Sequence, residues 1–399
     1  MKRERLAGAP RASEGSAVNE RSGSSFRIAS WNVLADSLLQ SNRELYARDD
    51  SSTLLEHVRQ PQRLWLIGQL KADILGLQEV ERFEQSLASS MARVGYRGIY
   101  KQRTGGQKDG VAIFFRESRF ELVYEEALEF RVLADGCASH EEADRMRKHN
   151  VALLVVLRDR WNAGRELLVS CCHLLWNPRR GLVKLRQMQY LMARVAELQS
   201  RGGGRMPVVL VGDWNCTPHS PLYAFLCRGQ FTQPLHTEGK WDGQQAAKAV
   251  QHSPSWAPIR GGPGVRAGRG HGGGQGADGY GSLIQAANPL VLESAYAAQG
   301  EPRCTTFHRG FQGTVDYILI DPTRLRSLGV MPTPPPELLA QYGSLPDCIT
   351  PSDHVPIAVD LAWVDAPAAS PMAGLVGGPI HPPTHPFIHP NPHTCNQPW

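Results

Sequence analysis

Long apolar runs are missing from this chain. No stretch approaches the roughly 18 residues that a membrane-spanning helix requires, which argues against a membrane partner. Charge of one sign is scarce too: 43 Lys and Arg face 38 Asp and Glu, a formal +5 over 399 residues. So slight a balance gives no general pull toward nucleic acid, and any such argument has to come from local clusters. Cysteine is present (8 residues) without a C-x-x-C pair, and Cys171 and Cys172 are adjacent. That pattern excludes a zinc ribbon and a disulfide scaffold, and fits free thiols in a reducing compartment. Residues 1–25 lack the apolar core of a secretory signal, and Glu4, Glu14 and Glu20 count against a transit peptide. A disordered leader and a cytoplasmic location are the expectations.

What is there suffices for a large core, with 41% hydrophobic residues. One folded domain is expected over 26–363, between the leader and a Pro- and His-rich tail over 364–399. Strands are expected at 26–33, 73–78, 111–115, 120–124, 151–157, 166–172, from Val208 up to the stop at Gly212-Asp213, and at 304–307, 314–320 and 355–361. The 111–115 and 120–124 strands read as a hairpin, since only a short polar link separates them. Ser52 to Lys71 reads as one or two helices, with Pro61 suited to a first turn. Leu182 to Leu198 keeps an apolar face at helical spacing, and Ser220-Pro221 reads as an N-cap and first turn. From about 241 to 282 the chain turns Gly-rich, a composition that buries too little apolar surface to order itself, and a flexible insertion is expected. Several strands run unbroken in apolar residues, which suits two stacked sheets covered by helices, an α/β arrangement. Trp-Asn closes both the first strand and the Val208 strand, a hint of internal duplication.

Chemistry gathers where these strands stop. Acid, amide and imidazole groups follow apolar runs at Asn32, Glu79, His173, Asp213, Asn215, Asp316 and the Asp353-His354 pair. A single strand-terminal Asp or Asn is ordinarily a turn former or a helix cap, and a single His is ordinarily a structural side chain. At least five such strand ends in one chain shift the balance toward a hydrolytic metal site. Carboxylate and amide oxygens suit Mg²⁺, with Mn²⁺ the alternative ion. One carboxylate can then deprotonate a water that attacks a phosphoester in line. Asp316 is placed to hold the ring of His354 in one tautomer.

The ordered segments resemble the endonuclease/exonuclease/phosphatase superfamily over nearly all of 26–362. The resemblance rests on Ser30-Trp31-Asn32, Leu77-Gln78-Glu79-Val80, Lys108-Asp109-Gly110-Val111, His173, Gly212-Asp213-Trp214-Asn215, Val315-Asp316-Tyr317 and Ser352-Asp353-His354-Val355-Pro356. Within it, Lys101-x-Arg103-Thr104-Gly105, His173-Leu174-Leu175-Trp176-Asn177-Pro178-Arg179-Arg180-Gly181 with Lys184-Leu185, and Ser220-Pro221-Leu222-Tyr223 are similar to the branch of carbon-catabolite-repressor-type deadenylases, nocturnin and Angel proteins, and most similar to Angel. The resemblance implies a four-layer α/β/β/α sandwich of two sheets flanked by helices. It also implies Glu79 as principal metal ligand, with Asn32 beside it and Asp353 supporting. Asp213 would activate water. Asn215 and His173 would contact the scissile phosphate, with Asn150 close to it. His354, oriented by Asp316, would stabilise the transition state.

Pro178 and Phe311 match positions that hold a nucleobase in deadenylases, whereas Asn177 stands where deadenylases carry Asp. Lys101, Arg103 and Lys108 in one loop, and Arg179, Arg180, Lys184 and Arg186 in another, form a candidate track for a phosphate backbone, with Arg103 and Arg180 preferred. Three functions follow. The first is a Mg²⁺-dependent phosphodiesterase that shortens RNA from its 3′ end. The second is hydrolysis of a 2′,3′-cyclic phosphate on an RNA end. The third is a weakly catalytic RNA- or protein-binding module, with the insertion and tails as docking segments for protein partners. His381, His385, His389 and His393 recur at four-residue spacing, but interleaved prolines forbid the helix that would turn them into a metal stripe.

Overall fold

The unbroken apolar strands have two faces to cover, and the computed structural model gives each face a partner. It describes residues 24–46, 51–204, 206–245, 282–341 and 343–364; the leader, most of the insertion and the His-bearing tail lie outside them. In the first part of the chain the strands are β1 (Ser25–Asn32), β2 (Ile74–Glu81), β3 (Tyr96–Gln102), β4 (Asp109–Arg116), β5 (Phe120–Glu129), β6 (Val151–Asp159), β7 (Arg165–His173) and β8 (Val208–Asp213). They continue as β9 (Gln230–Pro234), β10 (Leu283–Ala287), β11 (Glu293–Ser294), β12 (Thr306–His308), β13 (Phe311–Gly313), β14 (Asp316–Ile320), β15 (Leu325–Val330) and β16 (Ile357–Trp363). The main helices are α1 (Asp36–Ser41), α2 (Glu56–Leu70), α3 (Ser89–Arg93), α4 (His140–Met146), α5 (Gly181–Arg201), α6 (Pro221–Arg228) and α7 (Pro336–Gln341).

Two six-stranded sheets result, ordered β15-β16-β1-β2-β4-β3 and β11-β14-β8-β7-β6-β5. Alternate residues of each central strand go to opposite sides. Ile28, Ile74, Val209 and Val211 join the core between the sheets. Ala29 and Leu75 face outward with Ile67 and Leu70 of α2, and Val208 and Leu210 pack with Leu185, Met188 and Leu191 of α5. This is the expected helix–sheet–sheet–helix sandwich, and it explains why period-two polarity is absent from these strands. The sheets approach closely at Gly76, where an added Cβ would lie 2.3 Å from Val211 Cγ2.

Pairing in the two sheets follows one scheme. β1 and β2 run parallel, as do β7 and β8, and each parallel pair is flanked by antiparallel neighbours. The repeated Trp-Asn falls at equivalent strands, β1 and β8, of the two ladders.

Two expectations about local structure are overturned. β4 and β5 do not form a hairpin: β4 pairs with β2 and β3, and β5 with β6 in the other sheet. The link between them crosses from sheet to sheet and is fixed by buried Arg119, which donates to Asp159 Oδ2 at 2.9 Å. Pro61 lies in the second turn of α2, since the helix begins at Glu56. The Ser220 cap holds, with its hydroxyl accepting from the Tyr223 amide at 3.1 Å. The start of the supposed insertion is ordered, with Trp241 and Asp242 fully buried. Among the described residues no helix is long and apolar enough to cross a membrane, and the seven cysteines found there are free thiols.

Candidate active site

Register places the chemistry. On the second sheet His173 pairs with Asp213 across β7 and β8, and Asp213 with Asp316 across β8 and β14, so three strand ends line up. On the first sheet Asn32 ends β1, and Glu79 sits in β2 at a bulge between Gln78 and Val80. Glu79 has φ 57° and Asn215 φ 51°. That left-handed backbone costs a residue with a side chain of order 1–3 kcal/mol, and it persists only where neighbours enforce it.

Asn32 ties the two sheets together. Its amide nitrogen donates to Glu79 Oε1 at 2.9 Å and to Asp213 Oδ2 at 3.2 Å, while its oxygen accepts from the Leu34 amide at 3.1 Å. Asn32, expected beside the metal, here turns its oxygen to the Leu34 amide and donates to both carboxylates. Glu79 Oε2 accepts from the Ala35 amide at 3.1 Å. Asp353 comes from the loop before β16, and its Oδ2 accepts from the Tyr46 hydroxyl at 2.9 Å.

Around Asp213 stand two imidazoles. His354 Nε2 is 3.8 Å from Asp213 Oδ2, and its Nδ1 donates to Asp316 Oδ2 at 2.8 Å. His173 Nε2 is 3.5 Å from the same Asp213 oxygen. The Asn215 amide donates to Asp213 Oδ1 at 3.1 Å, and its side-chain nitrogen to the Leu174 carbonyl at 3.0 Å. Asn150 is committed elsewhere, donating to the His173 carbonyl at 3.1 Å and accepting from Gln187 at 3.4 Å. It braces His173 through the backbone.

Electrostatics sort these groups into roles. Burial first, then the nearby Asp353 and Asp109, pushes the Glu79 carboxyl up to about 8. Burial first, then Asp316, pushes Asp213 up to about 7, which suits a base working near neutrality. Burial, with Arg103 and His354 adding repulsion, takes His173 down to about 3, so its ring is neutral. Burial would lower His354 as well, but Asp316, Asp353 and Asp213 outweigh it and hold that ring protonated well above the usual histidine range.

A cation would relieve this crowding. Among the described residues no Lys or Arg pairs with Glu79, Asp213 or Asp353. The set of buried carboxylate oxygens is hard and anionic, and fits a small divalent ion. Asp213, Asp316 and His354 lie close enough together to hold a metal, and within that trio a hydrogen bond already joins His354 Nδ1 to Asp316. Glu79 lies outside that trio and is tied to Asp213 through Asn32.

The remaining sequence candidates divide. Arg103 reaches in far enough to influence His173, and its guanidinium lies 3.3 Å from Asp109. Pro178 is half-buried and Arg180 exposed on the loop before α5. Phe311 is buried on the β12–β13 hairpin, whose Thr306 bridges to His354. None of these last three belongs to the hydrogen-bonded network of acids. Lys184 does not face a substrate: it is fully buried in an ion pair with Asp242 at 2.5 Å. Tyr46, Gln187, Asp242 and Gln244 were missed. Tyr46 stands in a polar stretch without a motif, whereas Lys184 and Gln187, polar residues at helical spacing with the apolar face of α5, were the available signal for the rest.

A model of the endonuclease/exonuclease/phosphatase family matches residues 29–354. The chain is 31% identical over 368 residues to carbon catabolite repressor protein 4 homolog 3 of Arabidopsis thaliana, covering 85% of this chain and 75% of that protein. It is 33% identical over 244 residues to protein angel homolog 2 of Mus musculus, covering 59% of this chain but only 43% of that protein. Among solved structures it is similar to ANGEL2, a 2′,3′-cyclic phosphatase, in complex with adenosine-2′,3′-vanadate. The TM-score is 0.69 at 28% identity, over 85% of this chain and 96% of that one.

Proposed function

The chain belongs to the endonuclease/exonuclease/phosphatase family, and from that premise we propose a metal-dependent phosphoester hydrolase that acts on RNA, removing nucleotides from a 3′ end. One observation carries the reading. A buried carboxylate with its affinity for protons raised to about 7, Asp213, lies between a neutral and a charged imidazole and is tied through Asn32 to Glu79. Glu79 and Asp353 would hold Mg²⁺, or Mn²⁺, and a bound ion supplies charge neutralisation on phosphoryl oxygens and a more acidic water.

The protein's own groups do the rest. Asp213 takes the proton of the attacking water, and Asn32 keeps it facing Glu79. Neutral His173 and the remaining N–H of the Asn215 side-chain amide donate to the phosphoryl oxygens. Charged His354, fixed by Asp316, faces the negative charge that grows as the phosphorus–oxygen bond breaks. Arg103 and Arg180 take flanking phosphates, and Pro178 with Phe311 flanks a base, a contact worth about 1–3 kcal/mol and tolerant of sequence.

A second substrate reading has support of its own. The likeness to a 2′,3′-cyclic phosphatase, and Asn177 where deadenylases carry Asp, both favour opening of a cyclic phosphate by the same groups. Oligoadenylate, a mixed-sequence RNA and an RNA ending in a 2′,3′-cyclic phosphate, each with and without Mg²⁺, separate the two. Shortening is expected for exonucleolytic action, and end conversion without shortening for the cyclic phosphatase. If no RNA changes, or if Asp213→Ala acts like the wild type, the hydrolase reading is lost. RNA binding unaltered by that substitution, without turnover, would identify a binding module.

A further inference from the structure

Asn215 has a left-handed backbone, and two distant segments clamp its carbonyl. Lys184, wholly buried on α5, donates to that oxygen at 2.8 Å while its ammonium pairs with Asp242 Oδ2. The Gln244 side-chain amide donates to the same oxygen at 2.9 Å. Asp242 binds the loop a second time, its carbonyl accepting the Thr217 amide at 2.7 Å, and its Oδ1 accepts the Gln244 amide at 3.0 Å. Between them Gly243, at φ 74°, allows the close approach: an added Cβ would lie 2.1 Å from Thr217 Oγ1. A buried ion pair is a weak source of stability, because desolvation cancels most of the attraction. Here the ammonium is aimed at the one carbonyl that sets the direction of Asn215, two residues beyond Asp213.

We propose that Lys184, Asp242 and Gln244 are positioning residues for Asn215, so that the segment just before the Gly-rich stretch is part of the active site. The proposal rests on the reading of Asn215 as a donor to the substrate phosphate. It assigns to 241–244 a role in turnover that neither the motif residues nor the composition of the insertion indicated.

The test compares Gln244→Ala, and the paired variant Lys184→Met with Asp242→Leu, against Asn215→Ala, on the RNA ends named above with Mg²⁺. Both clamp variants are expected to lose about 10- to 100-fold in kcat with KM within about threefold, as a displaced catalytic group would. The paired variant is expected to melt lower than the wild type, since it removes the partners of the Asn215 carbonyl and the Gln244 amide along with the ion pair. Its kcat is therefore read at a temperature where circular dichroism shows it folded, beside the milder Gln244→Ala. Amide exchange in peptides covering 213–217 should speed up in both, because the Asn215 amide loses its fixed geometry on Asp213; this readout needs no turnover. Full recovery of kcat in the paired variant, or wild-type exchange across 213–217 while Asn215→Ala is slow, overturns the positioning role alone. Wild-type turnover by Asn215→Ala overturns the role of Asn215, and the proposal with it.

Discussion

Asp316 and His354 behave as one unit, since the 2.8 Å bond from Nδ1 both fixes the ring and keeps it charged. Replacing Asp316 by Asn removes the anion that outweighs the burial of the ring. The expected result is a loss of about 10²- to 10⁴-fold in kcat, by analogy with a triad whose orienting carboxylate is neutralised. The alkaline limb of the pH–rate profile should also move down toward neutrality, because His354 then gives up its proton earlier. An unmoved limb would show that the charge of His354 is not used. Tyr46 acts one step further out, through Asp353. Tyr46→Phe should raise the Mg²⁺ concentration for half-maximal activity about 10-fold or more, with kcat at saturating Mg²⁺ near the wild-type value; a Mg²⁺ titration decides. The contrast between these residues shows what a sequence reveals. Asp213, Asp316 and His354 end apolar strands, so their chemistry is visible against its background. Tyr46 and Gln187 do their work through partners hundreds or tens of positions away, and nothing local marks them. Asn32 was visible as a strand-end amide, but its bridge between Glu79 and Asp213 was not, because the direction of its amide depends on the Leu34 amide and on both carboxylates at once.

At the level of elements, strands that are apolar on both sides were legible because two faces need two covers. Which strands pair was less so. β4 and β5 are separated by a hairpin-length link, yet β5 pairs only with β6, and a bulge after Leu122 sends Phe120 into the core between the sheets and Leu128 into the core beside α5. Pairing is decided by partners that lie elsewhere in the sequence, which explains why link length alone misled. The contact between sheets also depends on a residue with no side chain to notice. At Gly76 a methyl group would meet Val211 Cγ2 at 2.3 Å and Cys171 Sγ at 3.2 Å. Overpacking of this kind costs typically about 1–3 kcal/mol. Gly76→Ala should therefore lower the denaturation midpoint by a corresponding amount, and because Glu79 is on the same strand, it should raise the Mg²⁺ requirement as well. Equal midpoints for variant and wild type in a urea titration would show that the sheets have slack here.

For the molecule as a whole, the site is a burden on the fold that a cation relieves. Glu79 and Asp213 keep their protons in the folded chain up to about 8 and about 7, whereas in the unfolded chain they release them near 4.5 and 3.8. Between those values the folded state binds more protons than the unfolded one, so stability falls as pH rises and the loss is complete above the folded values. A divalent ion that binds only the folded state opposes this, and by more where the carboxylates must be ionised to receive it. The metal-free protein is therefore expected to melt lower at about pH 8 than at about pH 5.5, with Mg²⁺ adding several degrees at the higher pH and little at the lower. Glu79→Gln, a neutral copy of the protonated acid, should melt above the metal-free wild type at about pH 8, converge with it near pH 5 and gain nothing from Mg²⁺. Thermal scans of the two proteins under these conditions decide the matter. If the wild type melts at the same temperature at both pH values and is indifferent to Mg²⁺ and Mn²⁺, Glu79 is not a ligand. The fold then carries its buried carboxylates for a reason other than holding a metal.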